Sequence, residues 1–213
     1  TSALENEEVI VEALDAVVGL YSDDTGTWGS ALALAEVTDT GTIATKWGIA
    51  RRTGATGGLY FTFGTSNNYA TNDAEMRIDT DGSVHADGSF TGGGADFAEY
   101  FPLEDASSKL EPGQLVGITT GRVGLATNGA EQVMIVSSNP AFVGNPDAAE
   151  GGVLVALVGQ AEVRLASPAQ IGDLLVASGR EDGTARAVSP ARYQPVADGV
   201  VIGRGLALAE DGM

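Results

Sequence analysis

The hydrophobic pattern of the chain changes after its first twenty residues. Within residues 4–20, apolar side chains recur at spacings of three and four, with acidic residues between them, which predicts an amphipathic helix. Val9, Leu14 and Val17 belong to the apolar stripe, and Gly19 marks its predicted end. The stripe is too short for sustained heptads and therefore does not distinguish between three roles. The helix could form a coiled-coil-like trimer seam, anchor the chain to a larger assembly, or cover the core of its own domain.

From residue 23 to about residue 90 the pattern has a period of two. Residues 46–51 predict one strand, and within residues 59–63 Leu and Phe alternate with Tyr and Thr, which predicts another. An Asp-Gly pair at 81–82 separates two short alternating segments and predicts a β-hairpin, because glycine tolerates positive φ. The sequence of residues 79–83 also resembles the start of a calcium loop. The later Glu and the flanking helices of such a loop are missing, which favours the hairpin.

After a glycine run at 92–94, residues 104–213 form a second β region with an internal repeat. Each copy has a Gly-containing turn, a hairpin and then a short apolar strand. The corresponding segments are 112–116, 118–126 and 133–136 in the first copy, and 171–175, 176–188 and 200–202 in the second. Residues 153–165, between the copies, predict a strand buried on both faces. Two hairpin units packed face to face predict a small β-barrel or clip-like domain.

Composition and charge narrow the possible functions. Over 213 residues, 43% are hydrophobic, which is enough for a buried core. There is no Cys and only one His, His85, so neither a disulfide nor a zinc site is expected, and no metal or other cofactor is predicted. The net charge of −18 argues against binding to nucleic acid or to an anionic membrane surface. No apolar run approaches the roughly 18–20 residues that a bilayer span requires, so membrane insertion is not predicted.

The most informative stretch follows the glycine run and reads Gly94-Ala95-Asp96-Phe97-Ala98-Glu99-Tyr100-Phe101. It resembles the start of the self-cleaving intramolecular-chaperone domain of phage appendages, a family classed with the glutamic peptidases. Further segments follow in the family's order at 133–145, 155–164 and 172–178, so the resemblance covers roughly residues 94–205. Residues 47–90 resemble the repeated β segments that precede such domains in tail fibres and spikes.

The resemblance implies a domain that promotes trimerisation of the fibre and then cuts itself away. In that family a hydroxyl nucleophile directly before the motif Asp attacks the preceding peptide carbonyl, and acidic side chains assist proton transfer. Asp96 and Glu99 match the acidic pair and are the predicted catalytic residues. The nucleophile position is Ala95, which has no hydroxyl, so cleavage at Gly94–Ala95 is expected to fail or to be very slow.

A purely structural role for the two acidic residues is the alternative. Asp96 would then cap a turn through its carboxylate, and Glu99 would pair with an arginine such as Arg122 or Arg164. Because an acidic pair without a nucleophile is an incomplete catalytic site, the structural role is the preferred interpretation.

The sequence as a whole predicts a mainly β, trimeric structural protein of a phage virion. Small β units bury little surface alone and gain a core by association, so a homotrimer is expected, with other virion proteins as partners. The predicted parts are a helical attachment or trimer seam at 1–25, a β-rich shaft at 26–93 and a chaperone-like β domain at 94–213. One alternative function is a self-cleaving autoprotease. Another is a glycan-binding module that stacks aromatic side chains on host-surface sugars, the candidates being Trp28, Trp47, Tyr60 and Tyr69.

Overall fold

The fold is that of a computed structural model, which describes residues 18–21, 29–37, 41, 43–52, 57–64 and 74–207. The chain is mainly β, as predicted, and includes a curled sheet of half-barrel form. It divides into two compact units, Thr1–Phe90 and Thr91–Met213. Most of the predicted amino-terminal helix lies outside the described residues. No helix in the described part of the chain is long and apolar enough to cross a membrane.

The first unit contains a five-stranded antiparallel sheet whose strands follow one another in chain order. Its strands are β1 (Ala31–Val37), β2 (Ile43–Arg51), β3 (Leu59–Gly64), β4 (Ala74–Ile78) and β5 (Val84–Ala86). The predicted strand at 46–51 and the alternation over 59–63 are both confirmed. Tyr60 and Thr62 are buried on one face, whereas Leu59 and Phe63 are exposed on the other.

The predicted hairpin joins β4 to β5. Gly82 has φ of 88°, and its N–H donates to the Asp79 carbonyl at 3.0 Å. The Asp79 carboxylate faces Arg77 and His85, with an oxygen 3.0 Å from a nitrogen of each, and therefore does not point into the turn. Among the described residues no cluster of three or more His, Asp or Glu side chains could hold a metal ion. The hairpin interpretation is confirmed.

The second unit contains a six-stranded sheet in the order β10-β6-β11-β9-β7-β8 and a three-stranded sheet in the order β13-β12-β14. Strand β6 pairs with β11 antiparallel and with β10 parallel. The strands are β6 (Asp96–Pro102), β7 (Leu115–Thr119), β8 (Arg122–Gly124), β9 (Gln132–Val136), β10 (Phe142–Gly144), β11 (Gly152–Gly159), β12 (Leu174–Ala177), β13 (Ala185–Val188) and β14 (Val201–Arg204). A 3-10 helix spans Pro146–Ala148, and a helical turn, α1, spans Pro195–Asp198.

The strand predicted over 153–165 is shorter than expected. Strand β11 ends at Gly159, where φ is 124°, a conformation that interrupts regular pairing. Within β11 only Val155 is fully buried.

The internal repeat is confirmed in topology and in hydrogen bonding. In one copy β7 lies between β8 and β9, and in the other β12 lies between β13 and β14. The Gly113 N–H donates to the Val136 carbonyl at 2.9 Å, and the equivalent Gly172 N–H donates to the Gly205 carbonyl at 2.8 Å. One core cluster joins the two copies and consists of Leu115, Leu165, Ala169, Leu175 and Ala185. A second cluster lies on the other face of β7 and consists of Val116, Ile118, Val123, Val136 and Val155.

Candidate functional site

The predicted cleavage position, Gly94–Ala95, lies immediately before β6 and is bound on both sides. On one side the Gln160 N–H donates to the Ala95 carbonyl at 3.0 Å, which continues the pairing of β6 with β11 by one residue. On the other side the Ala141 N–H donates to the Asp96 carbonyl at 2.7 Å, and Asn139 Nδ2 donates to the Gly93 carbonyl at 3.2 Å. The segment is therefore held by hydrogen bonds between two neighbouring stretches of chain.

Two glycines permit this close approach. A Cβ atom at Gly94 would lie 2.6 Å from the backbone nitrogen of Ala141 and closer still to the Asn139 carbonyl oxygen. A Cβ atom at Gly159 would lie 2.6 Å from the Cα atom of Asp96. Both neighbours are backbone atoms, which cannot rotate away, so each position requires glycine.

Asp96 is the first residue of β6 and is buried, with 5% of its surface exposed. Its Oδ2 atom is buried and has no hydrogen-bond partner among the described residues. A buried carboxylate oxygen without a donor is costly and is rarely left without a role in native proteins. A carboxylate that caps a turn accepts a hydrogen bond from a backbone N–H, and Oδ2 accepts none from a described residue. This oxygen therefore does not support the turn-capping role considered for Asp96.

Glu99 lies on the opposite face of β6 from Asp96, because residues three apart in a regular strand point in opposite directions. At about 3.3 Å per residue the two Cα atoms are roughly 10 Å apart, and the Cα atoms of residues 95 and 99 are roughly 13 Å apart. The Glu99 side chain lies across Gly144 of β10, where a Cβ atom would be 2.7 Å from Glu99 Cγ. A single copy of the chain therefore does not bring the two acids together at one bond, and their catalytic roles stay a prediction.

The arginines considered as partners of Glu99 are engaged elsewhere. Arg164 Nη2 forms an ion pair with Glu111 Oε2 at 2.7 Å, and Arg122 Nη1 donates to the Leu103 carbonyl at 3.0 Å. The predicted pairing of Glu99 with either arginine is wrong, because the strand order directs both guanidinium groups to other partners.

A cavity of about 720 Å³ reaches Ala95. Its walls are mainly apolar side chains of β9, β11 and β14 and of the segments that follow β11 and β14. Gln160, Glu162 and Arg204 contribute the polar side chains. None of the described residues that line the cavity carries a hydroxyl or thiol group, so no neighbour there replaces the nucleophile that Ala95 lacks.

The aromatic residues considered for sugar binding do not form one site. Trp28 and Tyr69 lie outside the described residues. Trp47 is 46% exposed and packs against Phe63, with ring centroids 5.0 Å apart. The prediction that Tyr60 is exposed is wrong, because it points to the packed face of β3 and only 2% of its surface is accessible.

Comparison with known families gives one match. The family described as Peptidase_G2, IMC autoproteolytic cleavage domain, matches residues 43–151, just over half of the 213 residues. The matched segment runs from the start of β2 to just before β11 and contains Ala95, Asp96 and Glu99. The match begins upstream of residues 94–205, the segment in which the sequence resemblance was seen, and it does not include residues 152–205. No curated protein and no solved structure matches the chain.

Proposed function

The chain belongs to the Peptidase_G2 family of IMC autoproteolytic cleavage domains, and from this membership we propose that it is a structural subunit of a bacteriophage tail fibre or spike. In this proposal the subunit forms a homotrimer in the virion, contacts other virion proteins and contributes to host attachment. Its chaperone-type domain remains covalently attached after assembly. The β-rich fold and the phage association of the family support this assignment.

Family membership carries the phage assignment, and the methyl side chain at Ala95 carries the part of the proposal in which the chaperone-type domain is retained. Cleavage of the family type requires a hydroxyl oxygen that attacks the preceding carbonyl carbon while its proton passes to a nearby base. The peptide C–N bond then breaks as a proton reaches the departing nitrogen, and water must hydrolyse the resulting ester before the two pieces separate. Ala95 provides no hydroxyl oxygen, and none of the described residues that line the cavity beside it carries a hydroxyl group. The separation of Asp96 from Glu99 across β6 further argues against cleavage within one copy.

The proposal is tested by measuring the mass of the denatured chain and the mass of the native assembly on the same purified protein. Denaturing mass spectrometry is expected to show one intact chain of 21.6 kDa. Light scattering under native conditions is expected to show about 65 kDa, three times the chain mass of 21.6 kDa. Two fragments that meet near residue 95 would contradict the retained domain. A folded monomer at micromolar concentration would contradict the structural assembly.

A latent autoprotease is the second candidate, favoured by the buried, unpartnered Oδ2 atom of Asp96. Ala95→Ser adds one hydroxyl oxygen, so the unmodified chain is its matched control. If the remaining chemistry is intact, Ala95→Ser cuts next to residue 95, and the additional change Glu99→Ala stops the cut. An intact chain in both variants would remove this candidate and leave the structural assignment standing.

A further inference from the structure

One face of the β1–β5 sheet is apolar and exposed. Cross-strand partners share a face of a sheet, and the pairs Leu34–Trp47, Trp47–Phe63 and Leu59–Ile78 extend this face across four strands. Ile78 pairs in turn with Val84 on β5. The exposed large side chains on this apolar face are Leu32, Leu34, Trp47, Leu59, Phe63 and Val84.

The opposite face of the same sheet is buried at its centre, along β2 and β3, whereas Ala33 and His85 towards its edges are exposed. Ala50, Tyr60 and Thr62 alternate with the exposed residues along β2 and β3, and their exposed fractions are 4%, 2% and 4%. At its centre the sheet therefore buries the face that carries Ala50, Tyr60 and Thr62, and it leaves large apolar side chains accessible on the other face. No other described segment of the first unit covers the apolar face.

The exposed area is large for a monomer. The six exposed side chains have accessible fractions between 37% and 59%. At roughly 200 Å² for a whole large side chain, they present about 550 Å², which is at the upper end of what monomeric proteins expose. A stable interface buries about 800 Å² per partner, so this face supplies most of the area that one such interface needs.

The charge of the chain indicates what covers the face. With a net charge of −18, two copies repel each other wherever their carboxylates meet. Among the described side chains, the centre of the apolar face carries no charge, and Arg51, which shares this face, is the last residue of β2. A second copy that presents the same face buries no carboxylate at the centre, and such a charge-free centre with a polar rim is typical of subunit interfaces.

We propose that the apolar face of the β1–β5 sheet is the contact between copies of this chain, with three copies enclosing their apolar faces around a common axis. This inference rests on the homotrimer of the proposed function and assigns the surface that forms it. The Trp47–Phe63 aromatic pair lies within that surface and provides the kind of large, rigid anchor that interfaces favour.

The test is one substitution made at two exposed valines. Val84 lies on the apolar face and is 48% exposed, whereas Val196 lies in α1 of the second unit and is fully exposed. Val84→Glu buries an unpaired carboxylate in each copy of the proposed contact. It is expected to raise the dissociation concentration of the trimer roughly a hundredfold or more, while Val196→Glu leaves it unchanged. Light scattering over a dilution series measures both, and circular dichroism reports whether the strands are retained.

A second measurement covers the case in which Val84→Glu does not fold. The chain contains no Cys, so Leu34→Cys and Val196→Cys each introduce a unique thiol. These variants keep Val84, so they do not depend on the folding of Val84→Glu. The thiol at position 34 is expected to resist maleimide in the trimer and to react in the dissociated chain. The thiol at position 196 is expected to react in both.

Each outcome bears on a different statement. Loss of the trimer in Val84→Glu alone, or protection of the thiol at position 34 alone, supports the interface. A trimer that tolerates Val84→Glu, reacts freely at position 34, or binds host-type glycans through an accessible Trp47 overturns the interface and leaves the trimer in place. A monomeric unmodified chain overturns both the interface and the homotrimer.

Discussion

Replacement of Gly94 by alanine tests whether the close approach of residues 139–141 to the start of β6 stabilises the second unit. The added methyl group meets the Asn139 carbonyl oxygen and the Ala141 nitrogen, both backbone atoms. To accommodate it, residues 139–141 must move away from residues 93–96. That movement stretches the hydrogen bonds from Asn139 Nδ2 to Gly93 and from the Ala141 N–H to Asp96.

The expected cost follows from these contacts. Overpacking of this kind costs about 1–3 kcal/mol, and the two weakened hydrogen bonds add about 1 kcal/mol each. Alanine has less conformational entropy than glycine in the unfolded chain, and this difference offsets about 0.4–1 kcal/mol of the destabilisation. The net destabilisation of Gly94→Ala is therefore about 2–5 kcal/mol.

Hydrogen exchange read by mass spectrometry is the appropriate assay. Trp28 and Trp47 both belong to the first unit, so tryptophan fluorescence does not report on β6. The amides of β6 and β10 are expected to exchange about 30- to 2,000-fold faster in Gly94→Ala than in the unmodified chain. Gly203→Ala is the matched control, because its Cβ atom meets nothing within 4 Å. Equal protection in Gly94→Ala and Gly203→Ala would refute the argument from close packing.

Two further predictions concern carboxylates of the second unit. The Glu181 carboxylate accepts from the Thr127 N–H at 2.5 Å, so Glu181→Ala is expected to lower the urea midpoint by about 0.5–1 M, and an unchanged midpoint would contradict this. A hydrogen bond from the Gln194 N–H, followed by one from Arg186, holds the pKa of Asp198 below its usual 3.8. A folded-state pKa below the unfolded-state value stabilises the fold above pH 3.8. This stabilisation is lost as the pH falls through the folded-state pKa. The stability gap between the unmodified chain and Asp198→Asn should therefore narrow from pH 7 to pH 3, and a constant gap would contradict the assignment.

Much of the fold could be predicted because its signals are local. The alternation at 59–63, the Asp-Gly turn at 81–82 and the repeated glycine turns at Gly113 and Gly172 each depend on a few neighbouring residues. Alternation assigns side chains to two faces but does not say which face is packed. That is why the sequence leaves Tyr60 open to two roles, stacking on a sugar or filling a core, and only the structure shows that it is buried.

The sequence motif of the candidate site could be recognised in the chain, but the arrangement of the strands and side chains around it could not be predicted. The order of residues 94–101 indicated the family, and the family match confirms it. The parallel pairing of β10 with β6 joins residues more than forty positions apart and has no local signal. Gly159 appears in the sequence only as a glycine after an apolar run, so its contact with Asp96 follows from the folded chain alone.

The position of the Gly94–Ala95 bond decides what a cut there would separate. Strand β5 ends at Ala86 and β6 begins at Asp96, so the bond lies in a connector that contributes no strand to any of the three sheets. A break at that point would leave β1–β5 on one piece and β6–β14 on the other, and every strand of each sheet would keep its neighbours. Residues 91–94 belong to the second unit but would stay with the first piece, so the contacts of Gly93 and Gly94 with residues 139–141 would then join two separate chains.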